Sequence, residues 1–130
     1  MNENARAWIA ALRSGEFEQT REVLTRLNEM GEVSGHCCLG VACVLYDRTN
    51  PDKLEIRDGH SSRSYDSNPS TLPPRVMEWL GLSSEEGSFT DGVEADPFDS
   101  SLAEMNDSGA SFEEIAAAIE EEPPGLFRQG

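Results

Sequence analysis

Apolar residues recur at helical spacing along much of the chain, which predicts a series of short amphipathic helices. The first has its apolar face at i, i+3, i+4 and i+7: Ala5, Trp8, Ile9 and Leu12. Asn2 or Asn4 is suited to cap this helix, and Ser14-Gly15 is suited to end it. A second helix is predicted over residues 17–30, so that the two would form a helical hairpin.

The least polar stretch of the chain is residues 37–46, ten residues without a charge. Its length lies between that of a buried strand and that of a buried helix. The spacing of Leu39, Ala42, Cys43 and Tyr46 favours a helix, with Ser34 as its cap. In either form we expect this segment at the centre of the core.

The middle of the chain changes to a strand pattern. Residues 54–57 alternate and are followed by Asp58-Gly59, which predicts a β-hairpin with residues 61–65 as the second strand. Pro73-Pro74 is suited to begin a short helix, and Gly81 to end it.

Two more helices are predicted near the end. Asp99 or Ser101 is suited to cap the first of them, and Ser111 with Glu114 has capping-box spacing for the second. The whole pattern predicts a mainly helical α+β fold: one compact domain, residues 1–122, of five to six short helices with a small β-hairpin. The Pro-Pro-Gly sequence after residue 122 predicts a loose C-terminal tail, residues 123–130.

Several motifs follow one another in a fixed order along the chain. They are Trp8-Ile9-x-x-Leu12-Arg13-Ser14-Gly15, Cys37-Cys38-Leu39-Gly40-Val41-Ala42-Cys43, Leu72-Pro73 with Trp79-Leu80-Gly81-Leu82, and Met105-Asn106-Asp107 with Ser111-Phe112-x-x-Ile115-Ala116. In this combination the chain resembles a group of small uncharacterised proteins frequent in tailed-phage and prophage genomes, over residues 6–121. The resemblance implies a phage accessory context and interference with a host protein, and it implies no particular reaction.

Charge is distributed unevenly over the chain. The sequence has 25 acidic and 10 basic residues, a formal net charge of −15. Residues 76–126 contain fourteen acidic residues and no lysine or arginine. Such a chain would be repelled by DNA, RNA and anionic membranes, so we expect none of these as direct partners. No apolar run has the length of a membrane span and no signal peptide is visible, so we expect a cytoplasmic protein, in the host cell if phage-encoded.

The residue types for a metal or catalytic site are present, but their spacing is poor. His36 with Cys37, Cys38 and Cys43 has zinc-ligand chemistry, yet adjacent cysteines point apart, which favours a buried apolar role. A cysteine paired with His36 or His60 would need a third group to orient the base. The carboxylates of residues 91–99 do not follow the calcium-loop order. We therefore assign no catalytic residue, metal or cofactor.

The acidic half suggests a binding function. A rigid array of carboxylates can occupy a basic groove that normally holds phosphates, so we expect an inhibitor that mimics nucleic acid and docks on a basic nucleic-acid-binding or defence protein of the host. The expected contacts are Glu78, Glu104, Glu113, Glu114, Glu120 and Glu121. Trp79 would be an apolar anchor if it is exposed. The simpler alternative is an acidic protein whose charge serves solubility alone.

Two other functions remain open at this stage. A protein that sequesters a nucleotide signal would need convergent donors, for which Arg57, Arg63 and Arg75 are the basic candidates. A small hydrolase without a recognisable motif is the third possibility. Self-association is also open, because a short edge strand could add to a sheet in another chain.

Overall fold

The computed structural model describes residues 1–89 and 100–128. These residues form one small α+β domain with five helices and a small antiparallel sheet. Helices account for 38% of them and strands for 19%. The α+β class and the number of helices are therefore confirmed, whereas the description as mainly helical is not supported.

The first helix, α1 (Glu3–Arg13), agrees with the sequence pattern. The side chain of Asn2 caps it by accepting a hydrogen bond of 2.8 Å from the Ala5 N–H. The four predicted apolar residues are all buried. Their face packs against the last helix and against the central helix.

The predicted second helix is wrong. In its place the chain forms β1 (Thr25–Leu27) and β2 (Val33–His36), an antiparallel pair. Glu22 has a left-handed backbone, φ 71°, which no α-helix accommodates. Met30, the last apolar residue of the predicted helix, is 82% exposed. The apolar spacing fitted a helix, but burial against the core selected the strand pattern, in which Thr25 and Leu27 point inward.

The second hairpin was predicted correctly. It consists of β3 (Ile56–Asp58) and β4 (Ser62–Tyr65), and β4 also pairs with β1. The order of the four-stranded sheet is β2-β1-β4-β3, with all neighbours antiparallel.

The apolar central stretch is the helix α2 (Cys38–Thr49), and its first six residues are all buried. It lies at the centre of the core, as the sequence predicts. Its cap is Cys37, whose Sγ accepts a hydrogen bond of 3.4 Å from the Gly40 N–H, and not the expected Ser34. Ser34 lies within β2, and α2 does not begin until Cys38. Ser34 is therefore too far from the first turn of the helix to cap it.

The remaining elements follow in short succession. Helix α3 (Pro74–Leu80) ends at Gly81, which has the left-handed φ of 79° that such an ending requires. The two short strands β5 (Ser88–Phe89) and β6 (Ser100–Ser101) then pair with each other.

The last two helices are α4 (Leu102–Asp107) and α5 (Phe112–Glu120). Ser101 caps α4, and Ser111 with Glu114 forms the predicted capping box of α5. The alternative cap at residue 99 and the carboxylate-rich segment 91–99 lie outside the described residues.

The described part of the predicted loose tail, residues 123–128, is packed against the domain. Leu126 is fully buried. Its carbonyl accepts a hydrogen bond of 3.0 Å from the Ser83 N–H, and the Arg128 N–H donates to the Gly81 carbonyl at 2.8 Å. The tail prediction therefore requires correction here. The three glutamates and two prolines before this segment favoured a loose tail in the sequence analysis. The burial of Leu126 holds the segment against the domain instead.

Candidate acidic interface

The carboxylates of the acidic half lie on the surface. Every acidic residue described between residues 76 and 122 is exposed: Glu78, Glu85, Glu86, Glu104, Asp107, Glu113, Glu114, Glu120, Glu121 and Glu122. They occur on α3, α4 and α5 and in the segments beside them. These carboxylates are therefore available for binding.

Two of the six expected contact residues already have a cationic partner. Arg13, at the end of α1, donates to Glu113 Oε2 at 3.1 Å and to Glu120 Oε2 at 2.8 Å. The hydrogen bond from Arg13 and its charge lower the pKa of Glu120. Since α1 and α5 pack against each other, this ion pair belongs to the fold, and it reduces the negative charge that α5 presents.

The other expected contacts are spread over three elements. One Glu114 oxygen accepts the Ser111 N–H at 3.0 Å in the capping box, and Glu121 follows α5 as its C-terminal cap. Glu78 lies on α3, which contacts α1 and α2. Trp79 is half-buried and packs edge-on against Tyr46, with ring centroids 5.4 Å apart, so part of its ring is taken up by the fold.

Glu104 belongs to a group of carboxylates that the fold brings together. It lines a surface groove of about 330 Å³ with Glu22, Glu86 and Asp107. Its other described lining residues are Ser70, Thr71, Ser101 and Ala103. None of the described residues that line it is a lysine or arginine. We call this site the acidic groove.

Backbone hydrogen bonds hold the two sides of the acidic groove together. The Glu22 N–H donates to Asp107 Oδ1 at 2.7 Å, which joins the segment before β1 to the end of α4. The Ala103 N–H donates to the Glu86 carbonyl at 3.2 Å, which joins α4 to the segment before β5. Glu104 and Asp107 lie on α4, and these bonds attach the segments that carry Glu22 and Glu86 to that helix.

Sequence reasoning identified Glu104 and missed Glu22 and Glu86 as its neighbours. Glu22 is far from Glu104 along the chain and lies in the segment interpreted as a helix. Glu86 was counted among the acids of the second half, but nothing in its spacing pointed to Glu104. The carboxylate pattern alone carried no signal for a contact between these segments.

The three arginines of the alternative ligand site do not converge. Residues directly opposite in an antiparallel pair share a face, so Arg57 lies with Ser64 on one face and Arg63 with Asp58 on the other. Each arginine also has a carboxylate partner. The ion pairs are Arg57–Glu55 at 2.9 Å, Arg63–Asp58 at 2.6 Å and Arg75–Asp66 at 2.8 Å.

A buried network of polar side chains lies between the sheet and α2. Thr25 Oγ1 is 2.8 Å from His36 Nδ1 and 2.8 Å from Tyr65 Oη. Burial lowers the pKa of His36, and the positive charges of Arg63 and Arg48 lower it further. The residue types suggest a nucleophile and base, but Thr25 is fully buried and out of reach of a substrate. This network satisfies polar groups in the core.

The three cysteines are free and buried. Burial raises the pKa of Cys37 to about 11 and raises the pKa values of Cys38 and Cys43 well above the ordinary value. Nucleophilic attack and metal ligation both require the thiolate, which this environment disfavours. Within residues 1–89 and 100–128, no group of three or more histidine, cysteine or acidic side chains is arranged to hold a metal ion.

The longest described helix, α2, has 12 residues. None of the helices in the described part of the chain combines the length and the apolar character needed to cross a membrane.

Comparison with known proteins gives a family and no functional relative. The model of a family described as a domain of unknown function, DUF8296, matches residues 1–123. No curated protein and no solved structure matches the chain. The match spans the five helices and both sheets that the described residues form, so it concerns the whole domain.

Proposed function

The chain belongs to DUF8296, a family described as a domain of unknown function, and from its surface we propose that it is a small acidic binding protein. It docks on a basic, nucleic-acid-binding site of a host protein and inhibits that protein by occupying the site. The resemblance of its motifs to phage and prophage proteins suggests that it acts in the cytoplasm of an infected cell.

The observation that carries this proposal is the acidic groove. Four carboxylates from three separate parts of the chain, residues 22, 86, 104 and 107, line one concave surface, and none of the described residues that line it is a lysine or arginine. Like charges that gather repel one another and cost folding free energy, so their grouping favours a use in binding. A guanidinium or ammonium group of a partner fits such a groove by charge and by hydrogen bonding.

The geometry also ranks the expected contacts. Glu104 stands in the acidic groove and is the central contact of the proposal. Glu113 and Glu120 would have to leave Arg13 before meeting a partner, so they contribute less. Glu78, Glu114 and Glu121 are exposed but do not line the acidic groove, so their part is to add long-range attraction that speeds association.

Binding is favoured over catalysis by the exposure of these groups. General acid–base catalysis by carboxylates depends on burial to tune the group that gives or takes the proton. The carboxylates of the groove are all exposed. Thr25 and the three cysteines are buried and closed to substrate.

A cationic peptide tests the acidic groove directly. We expect fluorescently labelled octa-arginine to bind the protein, and Glu86→Gln/Glu104→Gln to weaken binding about tenfold, since each of the two lost contacts with a charged group costs about 0.7 kcal/mol. Fluorescence anisotropy at low and high salt measures the affinity, which salt should reduce.

The matched control is Glu113→Gln/Glu120→Gln, which changes the net charge by the same amount but removes carboxylates that Arg13 already holds. We expect it to weaken binding much less than the groove variant. Equal losses in the two variants would mean that net charge alone attracts the peptide, and the proposal would fail.

The inhibitory step needs a second experiment. Immobilised protein is incubated with host lysate, and the captured proteins are compared between the wild type and the groove variant. We expect the wild type alone to retain nucleic-acid-binding proteins, and duplex DNA to displace them. Identical sets of captured proteins, or complexes that persist in excess DNA and high salt, would contradict occlusion of a nucleic-acid site.

A further inference from the structure

The strand β3 forms one edge of the four-stranded sheet. It pairs with β4 on one side, and within the described residues no strand pairs with its other side. All three of its residues are exposed. The opposite edge is partly occupied, because Gln19 forms a bridge with His36 of β2. An exposed edge strand carries unpaired backbone groups that can accept another strand.

The hairpin fixes which backbone groups of β3 point outward. The Gly59 N–H donates to the Ser62 carbonyl at 2.8 Å, and the Asp66 N–H donates to the Glu55 carbonyl at 2.8 Å. In an antiparallel pair, residues bonded to the neighbouring strand alternate with residues that are not. Ile56 lies between the bonded positions, so its N–H and C=O both face away from β4.

The side chains beside Ile56 have opposite charges. Glu55 and Arg57 lie on the same face of the hairpin, with Arg57 Nε 2.9 Å from Glu55 Oε1. Their side chains are 57% and 74% exposed. Ile56 itself is 37% exposed, as one of the few large apolar side chains that the described surface presents.

From this edge we propose that the protein forms a symmetric dimer in which β3 pairs antiparallel with β3 of a second copy. Ile56 stands opposite Ile56 of the other copy, and each exchanges its N–H and C=O with its counterpart. The same register places Glu55 of each chain opposite Arg57 of the other. Two ion pairs, two backbone hydrogen bonds and one Ile56–Ile56 contact then form across one two-fold axis, as an isologous interface requires.

Charge selects this register against its neighbours. Moving the two-fold axis to Arg57 would place arginine opposite arginine, and moving it to Glu55 would place glutamate opposite glutamate. Like charges directly opposite each other in a sheet are destabilising. The order Glu55, Ile56, Arg57 is therefore self-complementary in antiparallel pairing about Ile56 alone.

The large net charge does not oppose this contact as strongly as its total suggests. Residues 1–75, which contain the whole sheet, carry eleven acidic and nine basic residues. The excess of acid belongs to the rest of the chain. Two copies thus meet through the nearly neutral part of the molecule, where repulsion is least, and the assembly has two acidic grooves that can engage a partner with two basic sites.

A charge-exchange experiment on the full chain tests the dimer. Sedimentation velocity over a concentration series gives its dissociation constant for the wild type, Glu55→Arg, Arg57→Glu and the double variant. We expect each single reversal to raise the dissociation constant about tenfold, because two attractive pairs become repulsive. The double variant, which exchanges the charges, should restore dimerisation to near the wild-type value.

Two controls separate this interface from general charge effects. Glu29→Arg and Arg6→Glu make the same changes in net charge at other exposed positions, and we expect neither to alter the dissociation constant. Circular dichroism establishes that each variant is folded. A wild type that stays monomeric at submillimolar concentration, or single reversals that dimerise as well as the wild type, would overturn the proposal without affecting that of the acidic groove.

Discussion

Gly40 shows how one residue lets α2 approach the sheet. A Cβ built at this position would lie 1.8 Å from the Leu24 carbonyl oxygen, far inside van der Waals contact. The same oxygen accepts the Cys37 N–H at 3.1 Å, so the contact fixes the start of the helix against β1. The glycine in the Cys-Cys-Leu-Gly-Val motif is therefore explained by packing, because only a residue without a side chain fits.

We predict that Gly40→Ala lowers the free energy of unfolding by about 3 kcal/mol, because a backbone atom cannot move aside as a flexible side chain can. Urea denaturation followed by circular dichroism measures the change. Gly59→Ala is the control, since its Cβ would meet the nearest atom, the Ser62 carbonyl oxygen, at 3.2 Å. An alanine at position 40 that costs no more than one at position 59 would refute this account.

Asn106 connects three segments through one buried amide. Its Oδ1 accepts hydrogen bonds from the Cys38 N–H at 3.1 Å and from Gln19 Nε2 at 2.8 Å, and its Nδ2 donates to the Thr20 carbonyl at 2.7 Å. Every polar atom of the side chain is thus used although the residue is fully buried. The sequence places Asn106 in a motif, but Gln19 and Thr20 lie in the segment before β1 that the apolar spacing predicted as a helix.

At the scale of elements, capping residues and turn residues predicted the helices and the hairpin that they adjoin. Helices α1, α4 and α5 begin at residues that the capping rules identify, and the hairpin β3–β4 follows its Asp-Gly signal. The failure over residues 17–30 has a physical cause. The apolar spacing that favours a helix here also admits a strand that buries alternate residues, Thr25 and Leu27, and the sheet decided between the two.

We predict that Ser111→Ala lowers the free energy of unfolding by about 1 kcal/mol, the usual value of an N-cap hydrogen bond. The Ser111 hydroxyl accepts the Glu114 N–H at 3.1 Å, and this bond has no substitute in alanine. Thermal and urea denaturation measure the loss. Ser108→Ala serves as the control because Ser108 is exposed and follows α4 as its C-terminal cap through its backbone. Equal stability of the two variants would show that the capping box contributes nothing.

At the scale of the whole molecule, contacts between distant segments close the domain. Leu126 reaches the turn after α3, and the N-terminal amine pairs with Glu122 at 2.9 Å. Both ends of the described chain are therefore attached to the body. Chain ends usually fray unless such contacts hold them, and here the burial of Leu126 and the backbone hydrogen bonds of residues 126 and 128 hold the C-terminal segment.

We predict that Leu126→Ala lowers the free energy of unfolding by about 3 kcal/mol, since it removes a fully buried side chain and leaves a cavity. The control is Arg128→Ala. Arg128 is exposed, and its hydrogen bond to the Gly81 carbonyl is donated by its backbone N–H, which alanine keeps. Urea denaturation compares the two. A loss below about 1 kcal/mol at Leu126 would mean that the segment is not docked in solution.

The candidate site follows the same division between local and tertiary information. The sequence locates the acid-rich half and names Glu104, because composition and charge need no coordinates. It could not separate Glu104 from Glu113 and Glu120, which Arg13 binds from another helix. It also could not place Glu22 beside Glu86, because the two are joined through α4 and not along the chain.

The sequence by itself determined the caps of α1, α4 and α5, the Asp-Gly hairpin, the buried central segment and the excess of acid in the second half. These properties depend on residues that are neighbours along the chain, so local hydrogen bonding and apolar spacing are enough to specify them. The tertiary structure alone decided that residues 25–36 form strands, that Leu126 docks and that four carboxylates share a groove. Each of these depends on burial against distant segments, and burial free energy exceeds the small differences in local preference.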